Sequence, residues 1–182
     1  PTEYWESPEG LEGAAATNLV GPYLLTKLLI PSLQPQARIV WVSSGGMYGV
    51  KLSIKELKKS PLPYDGVRAY AQTKRAEVVL CRLMAQKYPE FHHHSMHPGW
   101  VDTEGVVHSL PRFYRWTKSI LRTIEQGADT IVWLCAVSPA PEKNGLFWLD
   151  RRAQKGHFLP NTHHSTPVEK ELIDWLEASI LL

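Results

Sequence analysis

The chain has 182 residues, 43% hydrophobic and 21% charged, with a formal net charge of +2 at pH 7. That balance excludes a disordered segment, and without a Lys/Arg block it leaves no electrostatic footprint for nucleic acid. One domain spanning 1–182, long enough to bury a core, is expected. Seven Trp and seven Tyr point to aromatic-lined pockets or interfaces. Cys81 and Cys135 stand far apart in apolar helical stretches, so a reduced, buried pair is expected rather than a disulfide. The opening "PTEYWESPEGLEG" is polar, is no signal peptide and reads as a point partway through a longer protein. The longest apolar run, "NLVGPYLLTKLLIPSL", is broken by Lys27 and two prolines and falls short of a membrane span. An intracellular, cytoplasmic location is expected.

Within 11–33, Leu19, Val20, Tyr23, Leu24, Leu28 and Leu29 recur at helical spacing. Pro22 should kink or bulge that helix, and Pro31 and Pro35 close it. "ARIVWVSS" reads as a buried strand feeding the glycine-rich "SSGG". The polar stretch 51–66 is a loop with room for one short helix. A helix then runs from about Ala69 to Lys87 and stops near Pro89. "FHHHSM" is the next strand, followed at once by the turn "HPGW". Over 110–122, Leu110, Phe113, Thr117, Ile120 and Leu121 share a helical face, with Arg112, Arg115, Lys118 and Arg122 largely opposite. "EQGADTIVWLCAVS" is a helix, "GLFWL" a third strand and "TPVEKELIDWLEASILL" a final helix. That last helix takes Thr166 as cap, Pro167 at the first position and Glu169 at the third. No repeat or low-complexity segment interrupts the pattern.

Strands separated by helices of this length imply parallel βαβ units with right-handed crossovers, hence an α/β fold. Chemistry in such sheets gathers at the carboxyl ends of the strands. "SSGG" and "HPGWVDT" both fall there. In "VRAYAQTKRAEVVL", Tyr70 precedes Lys74 by four positions, which stacks them on one helix face. A free tyrosine titrates near pH ~10, too high for exchange at neutral pH. A neighbouring ammonium favours phenolate and brings the group toward the range of a useful acid/base. A serine hydroxyl from "SSGG" could hold a substrate oxygen beside the phenol.

Asn18 in "ATNLVGPY", "RIVWVSSGG", the YxxxK element "YAQTK" and "HPGWVDT" follow one another in an order that resembles the short-chain dehydrogenase/reductase family. The likeness covers the chain from about residue 9 onward. It implies the C-terminal portion of a Rossmann-like doubly wound parallel sheet, incomplete, with the first strands absent. Tyr70 would then be the general acid/base. Lys74 would tune it and bond the nicotinamide ribose. Ser44 would position the reacting oxygen, and Asn18 would hold a water that resupplies protons to Lys74. Pro98, Gly99, Val101 and Thr103 would cradle the nicotinamide end and phosphates of NAD or NADP. The cofactor supplies the hydride, because no protein group can.

The family's TGxxxGxG loop and NNAG motif are absent, and Trp41 stands where many relatives have Asn. Two functions follow: an oxidoreductase interconverting an alcohol and a carbonyl on a hydrophobic small molecule, or a non-catalytic fragment or binding protein that cannot hold NAD(P). A serine hydrolase is set aside, since "SSGGMYG" is not G-x-S-x-G. In a strand His92 and His94 would share one face with no further ligand evident, so no metal site is expected. The basic helix 110–122 is expected as a lid over the substrate, with peripheral membrane contact or a simply solvated face as the alternatives. A homo-oligomer is possible for such a fold, and "RIVWV" without its preceding neighbour strand would be an aggregation-prone edge.

Overall fold

A computed structural model of the chain describes residues 3–102, 115–116, 121–138, 140–141 and 143–181. Three short segments form parallel strands: the largely apolar β1 (Arg38–Val42) and β3 (Phe147–Leu149), and the histidine-rich β2 (His92–Met96). β1 pairs β2 from Arg38 opposite His92 to Val42 opposite Met96, and β2 pairs β3 through Ser95 and Phe147. A fourth strand, β4 (Arg152–Gln154), returns antiparallel beside β3, giving the sheet order β1-β2-β3-β4. It was not foreseen, because the connecting Asp150 and Arg151 carry no glycine or asparagine. Both nevertheless adopt positive φ, 51° and 56°, the two-residue turn whose twist suits a hairpin.

The helix predicted over 11–33 is divided by its proline. α1 (Gly13–Ala15) runs into a π turn over Ala16–Val20 and then α2 (Gly21–Leu29). Pro22 has no N–H, so the ordinary ladder cannot continue through it. The Gly21 N–H instead donates to the Ala16 carbonyl five residues back, which widens the turn. α3 (Ile54–Lys58) is the short helix of the polar stretch, capped by Ser53. α4 (Gly66–Lys87) starts three residues before the expected Ala69, because Asp65 accepts the Arg68 N–H at 3.0 Å. α5 (Ile124–Ala136) opens on a capping box of Thr123 and Gln126. α6 (Thr166–Ser179) begins one residue earlier than expected: Ser165 takes the cap position, without a side-chain bond, and Thr166 is the first helical residue.

Alternation along β1 sends Ile39 and Trp41 to one face and Val40 to the other. Ile39 and Trp41 join the main core with Leu19, Tyr23, Leu80, Met84, Leu172 and Leu176, beneath the α2, α4 and α6 layer. Val40 joins Met96, Leu134 and Trp148 beneath α5. The product is an α/β sheet with helices on both faces. Cys81 is buried in the main core. Cys135 corrects the expectation of a buried pair: it is exposed, because one step past the buried Leu134 turns it to the outer face of α5.

The predicted helix 110–122 lies mostly outside the described residues. Arg115 and Trp116 are helical, but Arg122 is not. Arg122 instead forms a parallel bridge with Val101. Among the described residues no helix is long and apolar enough to cross a membrane.

Among the described residues nothing pairs with the far edge of β1; Val42 at its end is 42% exposed, and Leu25 and Leu28 on α2 are 57% and 67% exposed. Unpaired backbone beside apolar side chains favours association. The 182-residue chain is expected to run as associated species in size-exclusion chromatography with light scattering at micromolar concentration. Val42→Lys combined with Leu28→Lys should raise the monomer fraction severalfold. A wild-type chain that elutes as a monodisperse, cooperatively unfolding monomer would contradict this.

Candidate active site

Helical spacing on α4 places Lys74 Nζ 5.5 Å from the Tyr70 ring centroid. Tyr70 is 36% exposed, while the Lys74 side chain is largely buried. Lys74 donates to the Val42 carbonyl at 3.0 Å, at the carboxyl end of β1, and to Glu77 Oε1 at 2.7 Å. The two serines that end β1 diverge, as strand alternation requires. Ser43 is buried and its hydroxyl donates to the Lys74 carbonyl at 2.7 Å, tying strand to helix. Ser44 caps a 3₁₀ turn over Gly45–Gly49, its Oγ accepting the Gly46 N–H at 3.2 Å. A Cβ on Gly46 would lie 3.7 Å from Ser44 Oγ and 3.9 Å from the Ala71 methyl, so the Ser44 turn rests on α4 next to Tyr70.

Asn18 lies in the π turn and its Nδ2 donates to Thr73 Oγ1 at 3.3 Å. Thr73 in turn donates to the Tyr70 carbonyl at 2.7 Å. Asn18 therefore reaches the residue beside Lys74 through a side chain, a link the widened turn makes available.

"HPGW" forms its turn at the carboxyl end of the neighbouring strand β2. Gly99 has φ +78°, and a Cβ there would meet Arg122 Nε at 2.6 Å. That position therefore needs glycine on both conformational and steric grounds. Its N–H donates to His97 Nδ1 at 3.2 Å, and the Pro98 carbonyl accepts from Arg122 Nη1 at 3.3 Å. Val101 is buried against Gly127, where a Cβ would approach it to 2.5 Å. The His97 ring lies 3.7 Å from where a Gly45 Cβ would stand, which joins the proline-glycine turn to the Ser44 turn. Lys74, Ser44, Pro98, Gly99 and Val101 thus gather at the carboxyl ends of β1 and β2, with Tyr70 beside Lys74 on α4 and Asn18 joined to the same helix through Thr73. Thr103 lies outside the described residues.

Several polar residues of this region were not singled out by sequence reasoning. Arg122, expected on the basic side of the helix 110–122, forks onto Asp150 with Nη1–Oδ1 at 2.5 Å and Nη2–Oδ2 at 2.8 Å. That guanidinium holds the Asp150 carboxyl below the usual carboxylate range. Arg75, fully buried on α4, donates to the carbonyls of Met47 and Val50 at 3.1 and 3.3 Å. Burial lowers its guanidinium to about 10. Burial likewise pushes the Glu77 carboxyl up to about 7, against the pull of Lys74. The spacing of Glu77 from Lys74, i to i+3, was the one local signal available.

Two grooves among the described residues, about 530 and 300 Å³, are lined from α5 and from α3 and the start of α4. Neither includes Tyr70, Lys74 or Ser44. His92 and His94 share a face of β2, with rings 6.4 Å apart, but His94 Nδ1 accepts the Trp148 indole N–H at 3.2 Å. Among the described residues no group of three or more His, Cys, Asp or Glu is arranged to hold a metal ion.

No family model matches the chain. Dehydrogenase/reductase SDR family member 12 of Homo sapiens is 43% identical to it over 173 residues, which is 93% of this chain and 55% of that protein. The protein of the same name from Bos taurus is 42% identical over 174 residues, again 93% and 55%. A solved short-chain dehydrogenase/reductase of Brucella melitensis, of the glucose/ribitol dehydrogenase type, superposes with a TM-score of 0.58 at 21% identity, covering 80% of this chain and 58% of its own. That last likeness is one of fold. The chain spans about half the length of the curated relatives it matches.

Proposed function

Because the chain belongs to the short-chain dehydrogenase/reductase family, we propose that it carries the proton-transfer half of an oxidoreductase interconverting an alcohol and a carbonyl with NAD or NADP. The substrate is a hydrophobic small molecule. One observation carries the reading: a part-exposed Tyr70 phenol has the Lys74 ammonium 5.5 Å from its ring, at the strand end where the Ser44 turn docks.

The described residues fit the nicotinamide end of such a cofactor. Gly99, at φ +78° with Arg122 packed into the space a Cβ would fill, fixes the turn that ends β2, and Lys74 sits at the carboxyl end of β1. Pro98, Gly99 and Val101 would hold that end, with Lys74 and Tyr70 beside the ribose. When bound, the cofactor supplies the hydride. Tyr70 Oη gives a proton to the carbonyl oxygen in reduction and takes one from the hydroxyl in oxidation. Ser44 Oγ holds that oxygen in place. Asn18, bonded to Thr73 beside Lys74, supports the solvent path by which Lys74 regains its proton.

A second reading, a binding protein without turnover, is favoured by the two partners that already engage Lys74, Val42 and Glu77. Fluorescence titration of the chain with NADPH and NADH separates the two. The first reading expects saturable binding below about 1 mM, and the second expects none. Tyr70→Phe should keep binding within a few-fold while cutting carbonyl reduction by roughly 10²–10⁴.

A further inference from the structure

Lys74 has three N–H donors, of which two are committed to the Val42 carbonyl and Glu77 Oε1. Glu77 is 4% exposed, and its second oxygen, Oε2, is buried without a hydrogen-bond partner among the described residues. A carboxylate so placed has Lys74 as its one solvating group. Among the described residues, no other charged group on α4 or on the elements packed against it acts on Glu77. On β1 the Val42 carbonyl bonds Lys74, and the buried Trp41 indole N–H, in the core layer shared with α4, has no hydrogen-bond partner among the described residues, while in the π turn the Asn18 side chain bonds Thr73.

We propose that Glu77 is a positioning residue that holds the Lys74 ammonium at the carboxyl end of β1 and sets how much of its charge reaches Tyr70. Ionised, Glu77 draws the ammonium toward the sheet and offsets its field at the phenol. Protonated, it releases the ammonium, whose whole charge then faces Tyr70. Burial places that change near neutral pH, since the carboxyl is pushed up to about 7. The inference rests on the reading of Tyr70 and Lys74 as an acid/base pair.

The test uses NMR of the full chain labelled at Lys Nζ and Tyr Cζ, with signals assigned through Lys74→Met and Tyr70→Phe. In wild type, the Lys74 and Tyr70 signals should move together through one midpoint near pH 7. In Glu77→Gln that shared midpoint should vanish from both. Its absence from wild type, or its survival in Glu77→Gln, overturns the proposal. If Glu77→Gln does not fold, the Glu77 carboxyl carbon is followed in wild type and in Lys74→Met. Its midpoint should rise by about one unit or more once the ammonium is gone, and an unchanged midpoint overturns the proposal. None of these signals depends on cofactor or turnover. A chain that fails to bind NAD(P)H can therefore pass, and an active chain can fail.

Discussion

His93→Leu is expected to gain about 2 kcal/mol on wild type between pH 7 and pH 5, and about 3 kcal/mol between pH 7 and pH 4, on top of a change of under about 1.5 kcal/mol at pH 7. His93 is wholly buried in β2, and among the described residues neither ring nitrogen has a hydrogen-bond partner. Burial, with smaller contributions from His94 and His92, lowers its imidazole to about 4. The unfolded chain therefore takes up a proton below about 6.5 that the folded chain refuses. The stability from this group is complete above that value and is lost as pH falls toward about 4.

His94 runs the same way, lowered to about 4 chiefly by burial, and its protonation would also break the bond from Trp148. Glu77 runs in the opposite direction. Its folded value is raised to about 7, so ionising it costs stability as pH rises from about 4.5 toward that value. Two histidines outweigh one carboxyl of similar shift, and a domain holds only about 5–15 kcal/mol in all. Wild type should weaken on acidification, and His93→Leu should weaken less. Urea unfolding at pH 7, 5 and 4 reads the difference directly. Equal acid sensitivity in both proteins would show that His93 is not the group responsible.

The second large effect is expected at Arg75. Its side chain is fully buried and has no acid partner among the described residues. Nε donates to Met47 and Val50, at the middle and just past the end of the Ser44-capped turn, and Nη1 donates to the Gly156 carbonyl at 2.5 Å. Arg75→Met keeps most of the volume but strips a donor from three carbonyls, a loss of about 1–3 kcal/mol for each left buried. Removing a desolvated guanidinium returns part of that, since a buried charge is itself costly. The balance is a destabilisation of about 2–4 kcal/mol. The Met47 and Val50 amides, which close the turn through the Ser44 and Met47 carbonyls, should exchange with solvent faster in the variant. Hydrogen exchange and urea unfolding together test this. A variant within about 0.5 kcal/mol of wild type, with unchanged exchange at those amides, would remove Arg75 as the clasp of the Ser44 turn.

Much of the architecture lies in short-range patterns. The β-branched "RIVWV" with "SSGG" behind it defines β1, and the missing N–H of Pro22 foretells the break after α1. The i,i+4 spacing of Tyr70 and Lys74 places phenol and ammonium together on any helix, so that pairing needed no coordinates. Cys135 shows the limit of the same periodicity: an apolar run says helix, but the direction of the sheet decides which side is buried.

What the sequence determined by itself is therefore the order of β1, α4, β2, α5, β3 and α6, the Tyr70–Lys74 face, the glycine turn at Gly99 and the break at Pro22, because dihedral preference and helical period act within a few residues. Only the tertiary structure decided that Arg122 leaves its expected helix face to fork onto Asp150, that Asp150 and Arg151 turn back into β4, and that Arg75 clasps the Ser44 turn. It also decided that Glu77 loses its water. Each of these depends on desolvation and pairing between segments brought together by the sheet, and neither is a property of neighbouring residues along the chain.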